Sequence, residues 1–158
     1  MSARDEMVRN CAILMKAAAE MKVPTVVSEQ YPEGLGRTLP ELHELARAED
    51  LFSKLEFSCV RNERLRKQLS RDGRDQTIIA GIEAHVCVLQ SALDLSDGKG
   101  SVFVAADAIA SRRPESKEFA LRRMSNAGIT TVTTEMVVFE WLRTASSPSF
   151  KALSKLIR

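Results

Sequence analysis

The chain has 158 residues, enough for one domain with a core of its own. Its hydrophobic fraction of 44% is ordinary for a globular protein, and 23 basic and 21 acidic residues, mixed along the chain, leave a net charge of only +2. No basic run argues for nucleic acid, no apolar run nears the ~20 residues that span a bilayer, and the first residues lack the compact apolar stretch of a signal peptide.

Residues 5–22 carry Met7, Cys11, Leu14, Met15, Ala18 and Met21 at helical spacing, with one face for a core. Val23-Pro24 ends this helix, because proline cannot continue it and restrains the residue before it. Residues 25–28 read as a short buried strand, with Glu29 and Gln30 emerging at its carboxyl end. Residues 31–36 form a loop punctuated by proline and glycine, and a short helix is expected over 40–48. Residues 51–58 read as either an irregular edge strand or a loop. A short helix over 62–69 is closed by an Asp72-Gly73 turn.

Residues 77–82 are β-branched and apolar without polar alternation, the pattern of a central parallel strand covered on both faces. Residues 86–95 favour a helix that is apolar on nearly every side. Residues 97–100 make a tight connection to a strand over 101–106, with Asp107 at its carboxyl end. Pro114 opens a helix with Ala120, Leu121, Met124 and Ala127 on one face and Gly128 as its cap. A strand over 129–133, a helix over 135–143 and a last helix over 148–156 complete the chain.

This alternation predicts a single α/β domain, a three-layer sandwich with a mostly parallel sheet and helices on both faces. One feature is irregular. The first helix would cross over to the first strand, yet no strand precedes it. The fold is expected to lack its first strand in this chain, as an amino-terminal truncation would.

The cysteines are Cys11, Cys59 and Cys87, an odd number at scattered positions. They do not form a disulfide framework, so a reducing compartment, cytoplasm or mitochondrion, is expected. Cys87 falls at the first helical turn beyond a strand, where open α/β sheets place their ligands. The unpaired N–H groups of a helix amino end favour a thiolate over a thiol, and a nearby lysine does the same. Position alone leaves two readings open: an activated nucleophile, or a cysteine filling a gap in the core. Of the other cysteines, Cys11 lies on the core face of its helix and Cys59 is expected to be structural.

The segment Gly81-Ile82-Glu83-Ala84-His85-Val86-Cys87-Val88 resembles the nucleophile turn of the isochorismatase-like cysteine hydrolases. Ser28-Glu29-Gln30-Tyr31-Pro32-Glu33-Gly34-Leu35-Gly36 resembles a loop of the small single-domain isochorismatase-domain subgroup. Phe52-Ser53-Lys54-Leu55-Glu56-Phe57-Ser58 resembles the segment bearing the family's lysine, and the Ala106-Asp107-Ala108 turn fits as well. The resemblance covers essentially the whole chain.

It implies a Rossmann-like sheet and a Cys–Asp–Lys triad, with Cys87 as nucleophile and Lys54 as the lysine. It also implies a cis peptide between Ile82 and Glu83, and backbone N–H groups of Val86 and Cys87 aimed at a developing oxyanion. Glu29, Gln30 and Tyr31 would line the pocket mouth, and His85 would contact substrate or serve as a structural hydrogen-bonding group. The family's aspartate ends its first strand, and this chain begins at the helix that follows. Asp5 is not a match, because it lies within that helix. The histidines His43 and His85 are isolated, so neither the metal of nicotinamidase-like members nor any other cofactor is expected. True isochorismatases do not depend on a cysteine, so Cys87 argues against that reaction.

The expected activity is hydrolysis of a small-molecule amide, imide or related acyl bond through a thioester. The alternatives are a binding or scaffold protein on the same fold and, for relatives labelled ribonucleases, a nucleic-acid role that the charge does not support. A homo-oligomer is implied by the resemblance, with Phe139, Trp141 and Leu142 available for an interface or for the core. No membrane partner is expected.

Overall fold

The computed structural model of the chain describes residues 3–157. Helix α1 (Ala3–Glu20) leads to strand β1 (Val27–Gln30), a turn of helix α2 (Pro32–Leu35) and another, α3 (Pro40–His43). Strand β2 (Leu51–Lys54), helix α4 (Glu63–Ser70) and strand β3 (Gln76–Ile82) follow. A π-helical turn, Ala84–Val88, runs directly into α5 (Leu89–Ser96). Then come β4 (Ser101–Ala110), α6 (Pro114–Asn126), β5 (Thr130–Val132), α7 (Thr134–Leu142) and α8 (Phe150–Ile157).

Every paired strand is parallel, with helices on both faces, as the alternation predicts. The core shows the layering. Val102, Val104 and Ile109 of β4 pack toward Leu89 and Ala92 of α5 and Ala120 and Met124 of α6. Ala105 and Ala108 pack the other way, against Met7, Cys11 and Leu14 of α1 and Val137 of α7. A third cluster joins α1, α7 and α8 through Ile13, Ala17, Val138, Leu142 and Leu153. Leu142 and Trp141 therefore serve the core, whereas Phe139 stays exposed.

The sheet is in two pieces. Among the described residues, β1 pairs only with β2, and β3, β4 and β5 form a separate ladder in that order. The pieces are tied near α5 instead. The Ser91 hydroxyl accepts the Cys59 N–H at 2.9 Å, and Arg61 Nε lies 2.9 Å from Asp94 Oδ2. Arg61 and Ser58 together hold the Asp94 carboxyl below the usual carboxylate range.

Three expectations are corrected. The helix expected over 40–48 stops at His43 and is followed by turns and a short 3₁₀ turn, Ala48–Asp50. The segment 51–58 resolves as a strand only to Lys54, on the outer side of β1. The strand expected to end before Asp107 continues to Ala110, through a register shift opposite Ile79 and Gly81. Asp107 lies in this irregular stretch and not at a strand end. Its Oδ1 accepts the Thr134 N–H at 2.8 Å and the Thr134 hydroxyl at 3.0 Å, satisfying donors at the start of α7 that no carbonyl can reach.

Candidate active site

The carboxyl ends of β1, β2 and β3 bring together three side chains from three segments. Lys54 ends β2 and is only 3% exposed, although lysine is rarely buried. Its ammonium donates to Gln30 Oε1 at 2.6 Å, to the Phe57 carbonyl at 2.8 Å and to the Glu56 carbonyl at 3.0 Å. Three oxygens thus match the three protons of the group. Gln30 ends β1, and its amide is fixed by donating Nε2–H to the Leu55 carbonyl at 2.7 Å. The Cys87 thiol, half-buried in the π-helical turn, donates to the same Gln30 Oε1 at 3.6 Å. One amide oxygen therefore links the candidate nucleophile to the candidate cation.

Strand alternation explains the choice of Gln30. Ser28 and Gln30 share one face of β1, where the Ser28 hydroxyl meets Cys59 Sγ at 3.4 Å. Glu29 points to the other face, and its Oε1 accepts the Thr38 N–H at 2.8 Å. Burial alone would raise the Glu29 carboxyl; the Thr38 bonds, Arg37 and His43 outweigh it and hold the group below its usual value. The expectation that Glu29 faces the pocket mouth together with Gln30 is corrected: it ties down the loop after α2. Tyr31 adopts a left-handed conformation with φ 40° and remains 48% exposed. Its N–H donates to the Lys54 carbonyl at 2.9 Å. Its ring lies over Gly34, where an added Cβ would sit 2.1 Å from Tyr31 Cε1.

The Ile82–Glu83 peptide bond is cis. Beyond it, the Glu83 carbonyl accepts the Val86 N–H at 3.1 Å and the Val88 N–H at 3.2 Å. The Val86 N–H is thus engaged within the turn and not aimed outward, which corrects the expected pair of oxyanion donors. Ile82 is 58% exposed.

His85 is turned toward the loop after β4. Its Nδ1 lies 2.9 Å from the Ser111 hydroxyl and 3.5 Å from Glu83 Oε2. Glu83 Oε2 also accepts the Arg112 N–H at 3.1 Å. His85, Arg112, Arg113 and Ser116 line a surface hollow of about 410 Å³, and a second of about 670 Å³ continues along Pro114, Glu115 and Phe119. Neither hollow includes Cys87 or Lys54. The Ser111-Arg112-Arg113 run was not singled out from the sequence. Its place just past the end of β4, where open sheets bind ligands, was the available signal.

The other thiols are held differently. Burial, with the Asp107 charge adding to it, pushes the Cys11 thiol up to about 11. Its Sγ donates to the Ala108 carbonyl at 3.3 Å. A thiol whose folded pKa lies above its ordinary value of 9.0 stabilises the fold fully below that value and loses this contribution as pH rises to about 11. Unfolding free energy is therefore expected to fall between about pH 9 and 11, and Cys11→Ala to flatten that fall in urea titrations. Among the described residues no three His, Cys, Asp or Glu side chains cluster as metal ligands, and no helix is long and apolar enough to cross a membrane.

The chain is thus a parallel α/β domain with a thiol and a buried lysine at the carboxyl ends of its strands. Residues 1–136 match the model of the Isochorismatase domain, and the chain belongs to that family. It is 36% identical over 154 residues to isochorismatase domain-containing protein 2 of Xenopus laevis, covering 96% of this chain and 73% of that one. It is 37% identical over 145 residues to isochorismatase domain-containing protein 1 of Danio rerio, of which it spans 51%.

Solved structures agree. The MAR1 ribonuclease of Caenorhabditis elegans superposes with a TM-score of 0.90 at 36% identity, over 97% of this chain and 79% of that one. YcaC of Pseudomonas aeruginosa, solved with hexane-2,5-diol and covalent acrylamide, gives 0.88 at 27% identity over 99% and 83%. The YcaC gene product of Escherichia coli, described as an octameric hydrolase of unknown specificity, gives 0.91 at 27% identity over 97% and 76%.

Proposed function

We propose that this chain carries the site of a cysteine hydrolase acting on a small-molecule amide, imide or related acyl bond. Cys87 is the nucleophile and Lys54 the cation that organises the site. The supporting observation is the shared oxygen of Gln30, 2.6 Å from the Lys54 ammonium and 3.6 Å from the Cys87 sulfur. It keeps a positive charge beside the thiol without neutralising it.

The Cys87 sulfur anion adds to the carbonyl carbon, and the carbonyl π pair moves to oxygen. Collapse breaks the bond to the leaving nitrogen, which takes up a proton and departs as an amine. Water then adds to the thioester carbon, and breaking the C–S bond returns the thiol. An acid must carry the proton, the part the resemblance gives to the family's aspartate. Lys54 forms no ion pair among the described residues, and Glu56 senses its charge only weakly. The covalent acrylamide on the Pseudomonas protein supports a reactive nucleophile in the family, since acrylamide is an electrophile that alkylates thiolates. The octameric Escherichia coli relative supports a homo-oligomer, expected to elute well above 17.5 kDa in light-scattering chromatography.

Iodoacetamide near pH 6, followed by peptide mapping, tests the proposal. Cys87 is expected to label at least about tenfold faster than Cys59, and Cys11 slowest of all. Equal, slow labelling of all three would favour a binding protein on this fold.

A further inference from the structure

Cys59 and Cys87 meet the same face of β1. The Cys87 thiol donates to Gln30 Oε1 at 3.6 Å, and the Cys59 thiol donates to the Ser28 hydroxyl at 3.4 Å. Side chains two residues apart on a strand share a face, with their origins about 7 Å apart. A second route gives the same offset. The Cys59 N–H donates to the Ser91 hydroxyl at 2.9 Å, and Ser91 follows Cys87 by one turn on the same helical face. Neighbours of that kind have Cβ atoms about 5–6 Å apart. Strand and helix thus both place Cys59 one step from Cys87 along a shared seam.

Hydrolysis gives Cys59 no part, and packing does not account for it either. Cys11 is buried in the core, whereas Cys59 is a free, half-buried thiol that belongs to none of the three core clusters. It opens a short 3₁₀ turn, Cys59–Arg61. Besides the Cys59 N–H, the Arg61–Asp94 pair ties this turn to α5, and with Arg61 67% exposed that pair holds weakly. A disulfide needs Cβ atoms about 4 Å apart, so the turn has to close by only about 2–3 Å along the seam.

We propose that Cys87 and Cys59 form an oxidative modification site, in which a hydroperoxide oxidises Cys87 and Cys59 resolves it as a disulfide. The Cys87 sulfur anion attacks the peroxide, forming an S–O bond and breaking the O–O bond. Sulfur is oxidised, and the departing oxygen takes up a proton and leaves as water or an alcohol. The Cys59 sulfur, having given up its proton, then attacks the Cys87 sulfur. An S–S bond forms, the S–O bond breaks, and the released hydroxide takes that proton to become water. The disulfide silences Cys87 reversibly and shields it from further oxidation. The proposal rests on the hydrolase reading only for a reactive Cys87 sulfur; no substrate, acid or hydrolytic step enters it.

The test exposes the whole chain, reduced and freed of reductant, to a small excess of hydrogen peroxide. Remaining thiols are blocked with N-ethylmaleimide in denaturant, and the protein is digested with trypsin without reduction. The expected product joins residues 55–61 to residues 75–99, short of two hydrogens, while Cys11 carries maleimide. Dithiothreitol should separate the pair and restore iodoacetamide labelling of Cys87. In Cys59→Ser, labelling of reduced Cys87 should be unchanged, and peroxide should carry Cys87 on to its sulfinic acid at least about fivefold faster than in the unaltered chain. Fast iodoacetamide labelling of Cys87 without the linked peptides would overturn the pairing and leave the hydrolase reading standing. Slow labelling with no oxidation would overturn both. Equal over-oxidation with and without Cys59, or links only between the Cys87 residues of two copies, would also overturn the pairing.

Discussion

Replacing Lys54 by methionine is expected to lower stability by roughly 1–3 kcal/mol and to slow alkylation of Cys87 by at least about tenfold. The stability loss does not come from losing the charge, since apolar replacements of buried charges can be neutral. It comes from what the ammonium leaves behind. The carbonyls of Glu56 and Phe57 and the Gln30 amide oxygen would lose their donor at a partly buried site, where water reaches some of them. Each unsatisfied buried acceptor costs about 1–3 kcal/mol, reduced where the segment relaxes. The reactivity loss has a separate origin, release of the Gln30 amide oxygen that Lys54 holds beside the Cys87 thiol. Urea denaturation reads the first effect and iodoacetamide mapping the second. Unchanged stability would mean that the three acceptors find other donors. Unchanged Cys87 labelling would remove Lys54 from the site.

Met124→Ala should cost about 2–5 kcal/mol, the range for emptying a fully buried methionine site. Met124 is 0% exposed and sits in the cluster that also holds Ala84 and Val88, the two buried residues of the π-helical turn. The cavity would therefore open beneath the turn that carries Cys87. A fall in the urea midpoint together with altered Cys87 labelling is expected. A conservative Met124→Leu change should recover most of both, because it keeps the volume. Alteration of labelling without loss of stability would contradict this account.

Much of the architecture was legible in residue order. Periodicity placed α1, α4, α6, α7 and α8 to within a few residues, because each has an apolar face and a proline, glycine or polar cap at an end. The apolar run 77–82 marked a strand, and the switch to helix after it placed Cys87. Element ends were less legible. The helix expected over 40–48 contains one short turn, as its few apolar residues offer little face to bury. The continuation of β4 past Asp107 depends on the register shift against β3, which local composition does not encode.

Spacing and residue type alone determined the α/β class, the parallel direction of the strands and the placing of a thiol beyond the third of them, since these follow from local periodicity and from short-range steric rules. The meeting of Cys87, Gln30 and Lys54 at one oxygen was decided only in three dimensions, because 57 residues separate the thiol from Gln30 in the chain. The same holds for the division of the sheet between β1 and β3. β3 carries the composition of an interior strand, and only the hydrogen-bond partners that surround it determine whether both of its edges are filled.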